Sequence, residues 1–319
     1  FAVGVSAWPM LWQRAFPWFA CSILGVAGYT IAHHAFYHFR ADQAQLSPMP
    51  FFADHTIWAA TVVMVLFLLQ TVQPFPGWKE QANWNPISAL DPKGFQLFKL
   101  VGFLLLFLAL VLSTCRAAWV SALLVCGVWV FRSLGTKARL LMVLSGLIFC
   151  FWGISKLSHY VSQDVSSLER INRWACGFRM LEERPILGFG PGTFQFQYLD
   201  FQRTEEMTRI SVREAFDHGM PHPIGRGGGA HSEYWRALAE TGWPGLLLLL
   251  GLLGLVFGKG GTSTPKFPLN LPISLALLSY FIHGLANDFL HDDRIAALVW
   301  GCMALLFAPS LSKHALPSE

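Results

Sequence analysis

The sequence predicts an all-α fold, a polytopic helical membrane protein with one large polar loop. Three observations carry that reading. Charged residues are 13% of the 319, about half the ~25% usual in soluble domains. Several apolar runs approach the ~20 residues that cross a bilayer as a helix. The longest polar segment, residues 156–230, separates one group of such runs from another.

Eight spans are expected, at 18–37, 55–73, 94–114, 116–132, 138–155, 243–258, 269–290 and 294–311. Residues 1–17 read as an interfacial helix or as the stub of an earlier span. The chain thus divides into N-terminal membrane helices (1–155), the large loop (156–230) and C-terminal membrane helices (231–319). It begins with Phe1, and a natural start further upstream is expected. There is no signal-peptide pattern with a small-residue cleavage site. Cys21, Cys115, Cys126, Cys150, Cys176 and Cys302 lie mostly inside apolar runs and form no CxxC pair. Neither a disulfide framework nor a zinc site is supported.

Short loops rich in Lys and Arg mark the cytoplasmic side. "FRSLGTKAR" (131–139) and "GKGGTSTPKF" (258–267) are such loops, and Arg14, Lys79, Lys93 and Lys313 fall with them if all eight spans cross. The opposite short connections hold only Arg40, Arg116 and Arg294. Asp54, His55, Arg116, residues 156–231, His283, Asp288, His291, Asp292 and Asp293 then converge on the outer face.

Arg116 is the only charged residue from Leu100 to Phe131. At a bilayer boundary it either snorkels at a tight turn or clamps a phosphate, which guanidinium binds bidentately. In 156–230, eight of the nine basic residues are Arg (170, 173, 179, 184, 203, 209, 213 and 226), against nine acids. That bias suits anion recognition. "SSLERINRWACGFRMLEERP" reads as an amphipathic helix on the membrane surface. Ser166 or Ser167 caps it, Trp174, Phe178 and Leu181 share its apolar face, and Pro185 ends it. Its arginines are solvated or bind anions. "ILGFGPGTFQF" (186–196) holds G-x-G-x-G, but no strand precedes it and Pro191 interrupts it. A tight turn back to the membrane is expected there, not a nucleotide loop.

"GGGAHSEYWRALAETGWPG" (227–245) precedes the apolar run "LLLLLGLLGLVFG". Gly227, Gly228 and Gly229 permit close approach of backbone to a ligand. His231 stands near the start of a helix that "TGWPG" breaks. There it is either a cap or a base for a sugar hydroxyl, with Glu233, Tyr234 and Glu240 nearby. In "YFIHGLANDFLHDDR" (280–294), His283, Asn287 and His291 are four residues apart. On a helix that spacing makes one face, open to a divalent metal or to a hydrogen-bonded seam.

Three motifs, in order, resemble the O-antigen ligase and polymerase superfamily of bacterial envelope enzymes. "LSTCRAAW" is similar to the family's Ser/Thr-rich Arg motif closing a span. "RINRWACGFRMLEERPILGFGPGTF" is similar to its Arg-x-x-x-Trp helix leading into Pro-hydrophobic-Leu-Gly-x-Gly. "HSEYWRALAETGWPGLLL" is similar to its His-Asn/Ser-x-Tyr…Glu-x-Gly-x-x-Gly motif. "PFFADHTIWAA" resembles a stretch found in some members. Ser232 stands where Asn is common, and Cys115 where Ser or Thr is frequent. Members usually have more spans, in line with an upstream start.

The resemblance implies a GT-C-type glycosyltransferase of the bacterial inner membrane, metal-independent and without a cofactor. Such an enzyme moves a glycan from a polyprenyl diphosphate carrier to an acceptor at the periplasmic face. Ligases use lipid A–core oligosaccharide as acceptor, polymerases a second lipid-linked chain, and related enzymes a protein. By matching position, Arg116 and Arg170 hold the diphosphate and His231 is the base. Arg173, Glu233, Tyr234 and Asp288 are secondary site candidates. A diphosphate leaves readily, so charge stabilisation and positioning matter more than a strong acid. The partners are the lipid-linked donor, a glycolipid or glycan acceptor and the bilayer, with no nucleic acid. A non-catalytic transporter of lipid-linked glycans is the alternative of another class. It is disfavoured because no internal repeat is visible and the polar groups gather on one face.

Overall fold

The computed structural model describes residues 2–72, 90–146, 164–208, 211–217, 220–225, 228–261 and 270–307. The helices are α1 (Ala2–Phe36), α2 (His55–Leu68), α3 (Pro92–Leu112), α4 (Arg116–Ser133), α5 (136–146), α6 (Val165–Glu183), α7 (Phe194–Gln197), α8 (Glu233–Gly261), α9 (Asn270–His283) and α10 (Asp293–Phe307). The exception to the all-α expectation is a hairpin in the polar loop. It pairs β1 (Val212–Asp217) antiparallel with β2 (Met220–Gly225), Val212 opposite Gly225 and Asp217 opposite Met220.

The chain is a helical membrane protein. Ala15–Phe36, Pro92–Leu112, Arg116–Ser133 and Glu233–Lys259 are long and apolar enough to cross a bilayer. His55–Thr71 and Asn270–His283 are apolar but shorter. The expected spans at 138–155 and 294–311 run past α5 and α10 beyond the described residues, where Lys79, Lys313 and residues 262–267 also lie. Residues 2–17 form no separate element. They run straight into the first span, giving a helix of 35 residues, ~52 Å at 1.5 Å per residue. The expected span at 269–290 is shortened, because α9 stops at His283.

Two compact units divide the chain. The first comprises 1–125, 254–283 and 292–319. Its centre is α2, in which every residue from Ile57 to Leu68 is buried. A helix apolar all round is a helix surrounded by others, and α2 packs against α3 and α9. The Asp54 carboxylate caps it, accepting from the Thr56 N–H at 2.7 Å. In α3, Asp91 caps in the same way, with Pro92 at the first helical position. The connection from α3 to α4 is only Ser113–Thr114–Cys115, as the uninterrupted apolar run requires. Thr114 takes a φ of 54°, and the Trp119 indole N–H braces the turn by donating to Leu110 O at 2.9 Å. Arg116 is the first residue of α4 and is exposed.

The second unit comprises 126–253 and 284–291. Its buried core is Cys176 and Met180 of α6, Phe194 and Tyr198 (rings stacked at 5.2 Å), Ala230, and Ala239 of α8. Asp164 is the N-cap residue of α6 and accepts from the Ser167 hydroxyl at 2.6 Å, so neither Ser166 nor Ser167 caps it. The helix ends at Glu183, ahead of Pro185 as expected. Its buried face is Glu169, Asn172, Arg173, Cys176, Gly177, Met180 and Leu181. Of the expected apolar face, Leu181 is buried, Trp174 half-buried and Phe178 exposed, its ring 6.4 Å from that of Trp235. The polar side of α6 turns inward because neighbouring loops supply its partners.

The glycine-rich segment is the expected turn, and it docks backbone to backbone on α8. The Phe189 N–H donates to Ala239 O at 3.0 Å, the Gly190 N–H to Glu240 O at 2.8 Å, and the Trp243 N–H to Pro185 O at 3.0 Å. These bonds take up polar groups exposed where α8 kinks at Gly242, the break expected at "TGWPG". Gly242 has φ 66°, and a Cβ there would sit 2.5 Å from the carbonyl oxygens of Pro185 and Ile186. Only glycine fits both demands. Gly242→Ala should therefore lower the melting temperature by several degrees in detergent. Gly251→Ala, in the same helix with nothing within 4 Å of the added Cβ, should leave it unchanged or raised. Equal effects of the two substitutions would contradict the docking.

Candidate functional site

His231 sits one residue before the N-cap of α8, in the second unit. Ser232 is the cap residue. Its carbonyl accepts the first helical bond from the Arg236 N–H at 2.9 Å, and its hydroxyl lies 3.5 Å from the Trp235 N–H. The capping role considered for His231 thus belongs to Ser232. His231 is half-buried and takes a φ of 52°, a region non-glycine residues rarely enter, at a cost of order 1 kcal/mol or more. Surrounding bonds hold it there. Its N–H donates to Asp288 Oδ1 at 3.0 Å, the Ala230 N–H donates to Oδ2 at 2.9 Å, and the Trp174 indole donates to its carbonyl at 3.4 Å.

Glu233 makes the reciprocal clamp. Its Oε1 accepts from the N–H groups of Phe289 (2.6 Å) and Leu290 (2.9 Å). Its own N–H donates to Gly284 O at 2.9 Å and Asn287 O at 3.2 Å. These bonds explain why α9 ends early. Residues 284–290 spend their backbone groups on the start of α8 instead of on another helical turn. The helical face expected from His283, Asn287 and His291 is therefore not formed, and no group of metal-ligating side chains occurs among the described residues.

Beneath this joint lies a buried ion pair. Arg173 Nε donates to Glu169 Oε1 at 2.8 Å, its Nη1 to Gly229 O at 2.7 Å, and its guanidinium lies 5.0 Å over the Tyr198 ring. Glu169 Oε2 accepts from the hydroxyls of Thr208 (2.8 Å) and Ser211. Burial works to raise the Glu169 carboxyl, but the bonds from Ser211, Arg173 and Thr208 and the Arg173 charge outweigh it and hold the carboxyl below its usual value. Arg173 is 3% exposed, so the expectation of solvated arginines fails here. Gly228 and Gly229 make room for these side chains. A Cβ would lie 2.5 Å from Arg173 Nη1 at Gly228 and 2.4 Å from Asp288 Oδ2 at Gly229. Gly227 and two other candidates, Arg209 and Arg226, lie outside the described residues.

Arg170, one turn from Trp174, reaches the same loop. Its Nε donates to Ala286 O at 3.2 Å and its Nη1 to Ser166 Oγ at 2.7 Å. His231, Asp288, Glu233, Arg170 and Arg173 are thus gathered in one unit, with Tyr234 half-buried beside Glu233. Arg116 belongs to the other unit, exposed at the N-terminus of α4. A cation there is opposed by the helix dipole and favoured by a bound anion.

A cleft of about 260 Å³ opens next to Asp288. Gly192, Phe194, Gln195, Gly229, Arg236, Glu240 and His291 complete its wall. Glu240 organises that wall, accepting the N–H groups of Gly192 (2.9 Å) and Phe194 (3.1 Å) and Arg236 Nε (3.3 Å). Arg236 Nη1 in turn lies 2.9 Å from His291 Nδ1. Arg236 was not singled out from sequence, although its i, i+4 spacing to Glu240 is visible there, as is that of Glu169 to Arg173.

A family model described as O-antigen ligase matches residues 101–250. The match contains all three motifs that carry the resemblance, which is borne out. No curated relative matches the chain.

The Asp288 carboxyl is pushed up to about 7, by burial first and then by the Glu233 charge. Arg236 and the N–H groups of Ala230 and His231 pull the other way. In the unfolded chain its value is ~3.9. Between those values the folded protein holds a proton that the unfolded chain releases, so stability falls as pH rises through that window and levels off above it. The full difference is at most ~4 kcal/mol. Thermal melts from pH 5 to pH 8 should show this decline in the parent protein and a flatter profile in Asp288→Asn. Equal pH slopes would contradict the assignment.

Proposed function

We propose that this chain is a membrane glycosyltransferase that moves a glycan from a polyprenyl diphosphate carrier to an acceptor at the periplasmic face. The match to the O-antigen ligase family over residues 101–250 supports an O-antigen ligase- or polymerase-like activity. Within it we favour ligation to lipid A–core oligosaccharide. The topology that goes with this reading has eight spans, residues 156–230 outside, and the Lys- and Arg-rich short loops in the cytoplasm.

The observation that carries the proposal is the state of His231. An imidazole-bearing residue is held at φ 52° by a buried carboxylate that accepts its N–H. Strain of this kind persists only where the surroundings enforce it, and it clusters at functional sites. In the reaction the acceptor hydroxyl oxygen attacks the anomeric carbon, and the bond from that carbon to the phosphate oxygen breaks. The diphosphate leaves with the electron pair, and the hydroxyl proton passes to the His231 imidazole. Guanidinium groups stabilise charge building on the leaving diphosphate. We assign that work to Arg116 and Arg170 from the motifs they occupy. Arg173 and Asp288 already spend polar atoms on the loop that carries His231, and Glu233 on the 284–290 loop that holds Asp288; we assign all three to positioning His231.

His231→Asn tests the role. Asn tolerates the left-handed region better than most residues, so the backbone is kept while the base is lost. With purified protein in liposomes, a polyprenyl diphosphate glycan and separate candidate acceptors, transfer should fall roughly 10²–10⁴-fold with donor binding retained. Parent-level transfer in His231→Asn would exclude His231 as the base. No product from the parent protein with any acceptor, despite donor binding, would favour the transporter reading.

A further inference from the structure

In the second unit, the turn after α6 ends in two large aliphatic side chains that are mostly exposed. Ile186 is 69% exposed and Leu187 79%. An isolated exposed aliphatic needs no explanation, but a contiguous apolar patch does. These two continue a surface. The Trp243 N–H donates to Pro185 O at 3.0 Å, and Gly242 packs so closely on the carbonyls of Pro185 and Ile186 that no Cβ fits between them. The turn is therefore fixed at the level where α8 kinks. Below that level α8 exposes Leu247 (64%) and Leu248 (72%), and only 11% of its most apolar window is buried. Trp243 itself is 51% exposed. From Gly242 to Lys259 the helix rises ~26 Å, close to the ~30 Å hydrocarbon core. A Trp at one end and a Lys at the other are the usual anchors of a span at the two bilayer surfaces.

We propose that Ile186 and Leu187 insert into the bilayer at the headgroup–acyl boundary, so that the turn is a second membrane anchor beside α8. The occupant of this apolar tip is lipid. The argument is continuity, since the tip joins the lipid-facing surface of a membrane-spanning helix through backbone bonds that leave it no freedom to lift away. The anchor holds the segment that ends at Phe194, and with it the Glu240-organised wall of the cleft, at a constant depth relative to the membrane surface. Shallow burial of a few apolar side chains is enough for such interfacial attachment.

The test labels Leu187→Cys, and separately Ile186→Cys, with an environment-sensitive fluorophore in proteoliposomes, using the unsubstituted protein as the labelling blank. Glu205→Cys, in an exposed 3₁₀ turn of the same loop, is the aqueous reference. The expected result is strong quenching at 187 and 186 by lipids carrying a nitroxide near the headgroup, weak quenching by iodide, and the reverse at 205. Iodide quenching at 187 and 186 equal to that at 205 would overturn the proposal. So would shielding from iodide without nitroxide quenching, which would mean that protein rather than lipid covers the tip.

Discussion

The structure around His231 depends on the need of buried backbone N–H groups for acceptors. Residues 228–231 and 284–291 are irregular and partly buried, so donors such as the N–H groups of Ala230 and Phe289 have neither a helical partner nor free access to water. Two carboxylates accept from them. Asp288 takes the N–H groups of Ala230 and His231, and Glu233 takes those of Phe289 and Leu290. Asp288 lies in the second segment and satisfies the first, while Glu233 follows the first by two residues and satisfies the second. Leaving one such donor unpaired costs about 1–3 kcal/mol, so the two segments hold each other in register. Two like charges also stand close together, which is one reason the Asp288 carboxyl is raised.

The same device recurs at the other end of the first part of α8. Glu240 accepts the N–H groups of Gly192 and Phe194, and the backbone around Gly242 accepts and donates to 185–190. The stretch from Glu233 to Gly242 is thus tied at its start to the 284–291 loop and at its end to the glycine-rich turn. Arg173 links both regions to α6 through Gly229 and the Tyr198 ring. The catalytic candidate sits on a loop, but Arg173, Trp174 and Asp288 bond the backbone of residues 229–231 and hold that loop. Preorganisation of this kind is what the proposed transfer, with its good leaving group, needs.

Much of this was legible in the sequence. The α6 helix ending ahead of Pro185, the kink at "TGWPG", the short turn before Arg116 and the tight turn at "GFGPG" all follow from local signals, which proline, glycine and an unbroken apolar run carry within a few residues. Of the polar residues named from the sequence, Arg170, Arg173, His231, Glu233, Tyr234 and Asp288 fall in one compact unit and Arg116 in the other. What was not legible depended on partners distant in sequence. Arg173 looks like a solvated cation until Gly229, 56 residues on, appears as its acceptor. The apolar run through His283 looks helical to residue 290 until Glu233 captures the backbone of Gly284, Asn287, Phe289 and Leu290. The capping of α8 by Ser232 rather than His231 turned on a single residue of register, which no periodicity resolves.

The claim that carboxylates lock His231 in place is tested most directly by amide hydrogen exchange of the reconstituted protein. Ala230, His231, Phe289 and Leu290 lie outside regular helix, where amides ordinarily exchange within seconds. Bonded to buried carboxylates, they should instead exchange as slowly as the central amides of α6, and Glu233→Gln should speed exchange at 289 and 290 first. Exchange of all four at the rate of the exposed 203–205 turn would contradict the lock.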